Sequence, residues 1–248
     1  MPPPALVARL NEQWRNGEPS GELSRAGILV HTFDNTEDDM TAKQSVGKSP
    51  QDAEPWRPCS AQAWCGQYHG RLSASIINQA QRVLFTSEFG AGIVLSPGTS
   101  LYCSYPVDGG TMQKFCPPGA PTGCAPGCAT ETGEPNWCDH DEAWSPLTSA
   151  QVWSCAFRPD DLEAMLRHHR NSRASQYNEV VVDTSSYETH LPNSLLAFFF
   201  LASDRGGGSE RKARDAQARF LRRYRGAMTP VVSLDVDAAD GNAWRLES

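Results

Sequence analysis

Four aspartates sit where apolar runs of this chain end: Asp34 after "ILVHTF", Asp183 after "NEVVV", and Asp235 and Asp237 at the close of "VVSLDVD". Each run has the length and composition of a buried strand. In open α/β sheets the crevice beyond the strands' carboxyl ends is where ligands bind, so parallel neighbours ending in carboxylates would build one acidic site. Such a site holds a divalent cation (Ca, Mg or Mn) through hard oxygen ligands, or divides into a general acid and a general base for hydrolysis. In this arrangement Asp34, Asp183, Asp108 and Arg71 are the catalytic candidates, Asp108 or Arg71 approaching from the inserted region. Asp235 and Asp237 are the metal candidates, since residues two apart on a strand face one side together. The competing reading is that aspartate follows strands because it suits turns.

Two resemblances rest on short motifs. Asp235-x-Asp237 after an apolar run resembles the D-x-D element of nucleotide-sugar glycosyltransferases, which implies carboxylates holding a metal bound to a diphosphate. "RLSASIIN", with Arg71 and Ser73-x-Ser75, followed later by "NEVVV", resembles the Arg, Ser-x-Ser and Glu elements of ADP-ribosyltransferases. That family carries these elements on strands, whereas the apolar spacing around "RLSASIIN" predicts a helix. Other acidic stretches lack a ligand geometry. "DNTEDDM" has no EF-hand glycine or spacing, and "CDHDE" adjoins a cysteine in a polar loop. His168 and His169 are adjacent on a predicted helix and point apart. No G-x-S-x-G, P-loop or H-E-x-x-H motif occurs.

A second kind of chemistry lies in the cysteine region. All eight cysteines fall between Cys59 and Cys155, among them "CPPGAPTGCAPGCATETGEPNWCDHDEAW", which is rich in Pro and Gly and poor in apolar residues. Such a stretch cannot hold itself by burial. Cys59-x5-Cys65 and Cys124-x3-Cys128 lack the matching second half that a zinc site needs, so the even count points to disulfides and an oxidising compartment. Aromatics accompany the cysteines. Tyr102, Tyr105, Trp137 and Trp144 are the substrate-binding candidates, because aromatics beside Asp and Asn stack on sugar rings and enrich protein contact surfaces. The partner on this reading is a glycan or a protein; the alternative is local packing against the disulfides.

Composition limits the classes. With 248 residues the chain can bury a real core as one domain over 1–248, with the cysteine-rich insertion at about 103–155. A net charge of −7 argues against a nucleic-acid partner, although Arg205 to Arg225 holds eight Lys/Arg against Glu210 and Asp215. No apolar run reaches the roughly 18 residues of a membrane span. The beginning "MPPPALVARL" has no signal-peptide pattern, so secretion or delivery to an organelle lumen implies a leader outside this sequence.

The elements that must position these residues follow from periodicity. Leu6, Val7, Leu10 and Trp14 predict an opening helix, and "ILVHTFD" a strand. Ile76, Ile77, Ala80, Val83 and Leu84 predict a helix, and "AGIVLSPGTSLYCSYP" a hairpin about Ser-Pro-Gly-Thr. "VWSCAFR" is a strand, and "PDDLEAMLRHHRN" opens a helix with Asp160 and Glu163 as a capping box. "NEVVVD" is a strand, "SSYETHL" a short helix, "SLLAFFFLAS" a strand buried on both faces, and "TPVVSLDVDA" the last strand, reached through a helix after Gly206–Gly208. Alternation of this kind predicts an α/β (or α+β) fold: a mixed, partly parallel sheet flanked by helices, with a disulfide-stapled insertion. "RLSASIIN", "LYCSYPVDGGT" and "YNEVVVD" with "LPNSLLAFFF" together resemble predicted cysteine-rich proteins of unicellular algae over Ile28 to Asp204, which implies a shared fold and no particular activity.

Overall fold

The computed structural model describes residues 1–33, 72–84, 90–106, 159–172, 177–182 and 193–247. Helix α1 (Pro3–Asn16) begins on a proline, whose fixed φ suits the first helical turn, and buries Leu6, Leu10 and Trp14. A four-residue helix α2 (Leu23–Ala26) leads into β1 (Ile28–Thr32). Three further strands follow: β2 (Leu72–Ile77), β3 (Ala91–Leu95) and β4 (Leu101–Tyr105). A 3-10 turn (Pro159–Asp161) opens α3 (Leu162–Ser172), and β5 (Glu179–Val182) and β6 (Leu195–Leu201) come next. A 3-10 turn (Ala202–Asp204), helix α4 (Gly208–Arg223), β7 (Val231–Leu234) and the short β8 (Trp244–Leu246) complete the described elements.

The strands form one eight-stranded sheet in the order β4-β5-β2-β1-β3-β6-β7-β8. It is mixed, as expected, but among the described strands only β6 and β7 pair in parallel, and α4 is their crossover. Every other neighbouring pair is antiparallel. Two cores flank the sheet. Leu6, Leu10 and Trp14 of α1 pack on Ile28, Val30, Ile77, Val94, Ala197, Phe199, Val232 and Trp244. On the other side α2, α3 and α4 bring Leu23, Met165 and Phe220 against Leu29, Ile76, Ile93, Phe198 and Phe200. Phe198 meets Phe220 edge-on, with centroids 5.6 Å apart, so aromatic packing ties α4 to the sheet centre.

Two expectations are corrected. "LSASII" is a strand, because Leu72, Ala74 and Ile76 alternate with Ser73 and Ser75 at period two, and a turn closes it. In that turn the Asn78 side chain accepts from the backbone N–H groups of Ala80 and Gln81 and donates to the Ala26 carbonyl. The Ser-Pro-Gly-Thr turn forms, with Thr99 N–H on the Ser96 carbonyl at 3.0 Å, but no hairpin results. Both edges of β3 are taken, by β1 and β6, and β4 pairs with β5 at the far edge.

That connection forces the sheet's shape. In a flat sheet, four strand steps and four residues of register would separate Leu95 from Leu101 by about 23 Å, and six residues span at most about 20–22 Å. The sheet therefore curls, with register shifts at Val94/Leu95 and Leu101/Cys103 where it bends. Strand β2 is the corner: its first half pairs with β5 and its second half with β1. Tyr105 and Val180 to Val182 accordingly share the core that α3 and α4 close.

Candidate functional site

At this corner side chains replace backbone. Pairing of β1 with β2 stops at Val30 and Ser75. One residue further the His31 ring reaches across, with Nδ1 on the Ser73 carbonyl at 2.6 Å. A carbonyl only accepts, so Nδ1 carries the proton in this contact. On the other side of β2, pairing with β5 ends at Ala74 and Val180. There Asn178 continues the ladder: its Oδ1 accepts from Ile76 N–H at 2.9 Å and its Nδ2 donates to the Ile76 carbonyl at 2.8 Å.

Between these two substitutions stands Glu179. It is 3 % exposed, and its Oε1 accepts the Ser73 hydroxyl at 2.6 Å. Ser75, 5 % exposed, lies at the next register position on the same face of β2 as Ser73. The strand alternation that puts Leu72, Ala74 and Ile76 into the helix-covered core thus turns Ser73 and Ser75 to the opposite face. A carboxylate buried on a sheet costs several kcal/mol before its partners are counted, so stability alone favours an apolar residue there. Buried, hydroxyl-bonded carboxylates are what acid, base and cation-stabilising chemistry requires.

The other end of the sheet carries polar clusters of its own. Strands β1, β5, β6 and β7 all point the same way, as a common acidic rim demands, but they are not neighbours except for β6 and β7. The ends of β1 and β7 stand three strand steps apart, about 14 Å along the sheet. Strand β7 stops at Leu234, before the Asp-x-Asp pair, so the shared strand face expected for Asp235 and Asp237 does not arise. Asp235 instead accepts the Asp237 N–H on Oδ1 at 3.1 Å, the bond of a turn residue. Among the described residues no group of three or more His, Cys, Asp or Glu side chains is placed to hold a metal.

Gly206, Gly207 and Gly208 open α4 in the manner of a phosphate-cradling loop, but the helix is capped from within. Asp204 Oδ2 accepts the Ser209 N–H at 2.7 Å and also the Ser209 hydroxyl, and these bonds hold its carboxyl below the usual range. A side chain at Gly207 would collide with that carboxylate. Glu210 accepts the Gly206 N–H and pairs with Arg214, which lowers its carboxyl too. Beside it Arg205 forks onto both oxygens of Glu247 at 2.7 Å, and Ser233 donates to the same carboxylate at 2.6 Å.

Of the residues singled out from the sequence, Asp34, Asp183, Asp108, Arg71, Trp137 and Trp144 lie outside the described residues, as do "VWSCAFR", "SSYETHL" and every cysteine but Cys103. Tyr102 belongs to β4. Tyr105 is 1 % exposed and packs in the core, where it cannot serve as the exposed stacking surface expected of it. His31 was legible only as a strand residue, whereas Glu179 stood out as the Glu that follows Ser73-x-Ser75 and opens a run of three valines.

The class these features define is a mixed α/β protein with a curled eight-stranded sheet and a buried carboxylate at its corner. No family model and no curated protein matches the chain.

Proposed function

We propose that this protein is an enzyme acting at the anomeric carbon of a sugar, with Glu179 as its reacting carboxylate. The observation that carries the reading is the hydrogen bond from half-buried Ser73 to the buried Glu179 on the sheet face at the β1-β2-β5 corner. Cleaving or transferring a glycosidic bond develops positive charge on the sugar ring, and a fixed carboxylate stabilises it or assists the nucleophile. Glycan-cleaving enzymes and ADP-ribosyltransferases share that requirement. The Ser73-x-Ser75 and Glu179 elements that resemble the latter lie on adjacent strands, which supports the reading. Ser73 then orients the carboxylate, and His31 fixes the Ser73 backbone. The even, clustered cysteines support an oxidising compartment as its place of work.

The test is release of 4-nitrophenol from a panel of 4-nitrophenyl glycosides and of nicotinamide from NAD⁺, by wild type and by Glu179→Gln. The glutamine keeps the shape and can still accept from Ser73. We expect turnover in wild type and a loss of about 10²–10⁴-fold in kcat/KM in the variant. Absence of turnover on every substrate, or a variant as active as wild type, overturns the reading.

A further inference from the structure

The cleft between α3, the α1–α2 connection and the turn after β2 contains a partly open pocket of about 20 Å³. His169 lines it and is 1 % exposed. Its Nδ1 is engaged by the Pro106 carbonyl, which can only accept, so Nδ1 holds the hydrogen and Nε2 presents a lone pair. Nε2 is buried and has no hydrogen-bond partner among the described residues. Burial, opposed only by the Pro106 bond, lowers the imidazole's pKa and keeps it neutral. The neighbouring amide of Asn78 is already committed to Ala26, Ala80 and Gln81, so it competes little for a guest.

From this geometry we infer a second site, in which the pocket beside His169 takes the hydroxyl end of a small neutral alcohol or polyol as a donor to Nε2. The volume admits one water-sized group, which excludes carboxylate, phosphate and guanidinium heads. Ala26, Ile76 and Leu166 give the pocket apolar wall beside the polar Asn78 and Gln81, so an ammonium would lose part of its hydration there, whereas a hydroxyl needs one acceptor and brings its own carbon to the apolar wall. At the mouth Glu18 is tied to Arg25 at 2.5 Å, while Arg170 stands on the exposed rim. The site touches neither Glu179 nor Ser73 and stands independently of the activity proposed for them.

Long-range ¹H–¹⁵N spectra of the full chain labelled at histidine read it directly, with glycerol and ethylene glycol as probes. We expect an unprotonated Nε2 whose resonance shifts saturably with one of these probes, and a midpoint of thermal unfolding that rises with the same probe. His169→Phe should keep the midpoint flat under titration. A resonance indifferent to both probes means the pocket holds water alone and overturns the proposal, as does a proton found on Nε2. If the phenylalanine variant does not fold, the wild-type spectrum alone decides.

Discussion

Replacing Asn178 by alanine isolates what a side chain does when it stands in for a strand. The Asn178 amide satisfies both backbone groups of Ile76, 102 residues away in sequence, through bonds of 2.9 and 2.8 Å, and is itself fully buried. Alanine leaves the Ile76 N–H and C=O unpaired in a buried position, at about 1–3 kcal/mol for each group. The two losses share one site and do not simply add, so a total of about 2–4 kcal/mol is expected. For a chain of this size each kcal/mol lowers Tm by roughly 2–4 °C, which puts the midpoint about 6–12 °C lower for the middle of that range. Urea unfolding should show a reduced Cm with an unchanged slope, the sign of a stability change without altered compactness. Asn178→Asp is the sharper control, because it keeps the acceptor for Ile76 N–H but sets a carboxylate oxygen against the Ile76 carbonyl, and it should be no better tolerated. A cost of Asn178→Ala below about 0.5 kcal/mol, the range of an ordinary surface change, refutes the reasoning. Because Asn178 directly precedes Glu179, the same variant should also lose turnover beyond what its folded fraction explains.

Gly92→Ala should destabilise by about 1–3 kcal/mol in urea unfolding, since its Cβ would lie 2.4 Å from the His31 carbonyl oxygen and 2.5 Å from the Phe199 ring. Stability should fall as pH drops below about 6.5: His169 is held neutral by burial, so the unfolded chain takes up its proton more readily and gains ground in acid. His169→Gln should flatten that part of the profile. A further loss below about pH 4.5 is expected from Asp204 and Glu210, whose carboxyls are lowered by their bonds at the start of α4 and whose contribution disappears once they protonate. Thiol counting in denaturant before and after reduction should change from few or none to eight; eight free thiols before reduction refute the disulfide proposal.

Much of the fold was legible because burial writes a period into the sequence. Leu6, Leu10 and Trp14 mark α1, Leu162, Met165 and Leu166 mark α3, and the apolar runs of β5, β6 and β7 admit little but buried strands. The failure at β2 is instructive: Ile76, Ile77 and Ala80 fit a helical face, and only the Asn78 turn and the neighbouring strands decide for the extended form. Strand β8 has three residues and depends on α1, where Asn11 bonds the Trp244 carbonyl at 3.0 Å and its N–H at 2.9 Å, so nothing local announces it. Strand order was hidden for the same reason. It rests on backbone ladders between strands far apart in the chain, with His31, Asn178 and Asn11 adding side-chain bonds beside them, and such contacts leave no spacing in the sequence. The candidate site was half visible: Ser73-x-Ser75 and Glu179 stood out as residue types, while their adjacency required β5 to lie beside β2.

The place of β5 between β2 and β4 also has a consequence for how the chain is made. Both flanking strands leave the ribosome first, and Val182 follows Ile77 by roughly a hundred residues, about 5–20 s of synthesis. Throughout that interval β2 has no partner on its outer side and β4 has none from β5, which is the condition under which nascent chains pair with one another. Ser73 and Ser75 lie on that waiting edge, and two hydroxyls in a run of Leu, Ala and Ile make it less adhesive than an all-apolar strand. The residues that later surround the buried carboxylate thus also protect the unfinished protein until β5 arrives.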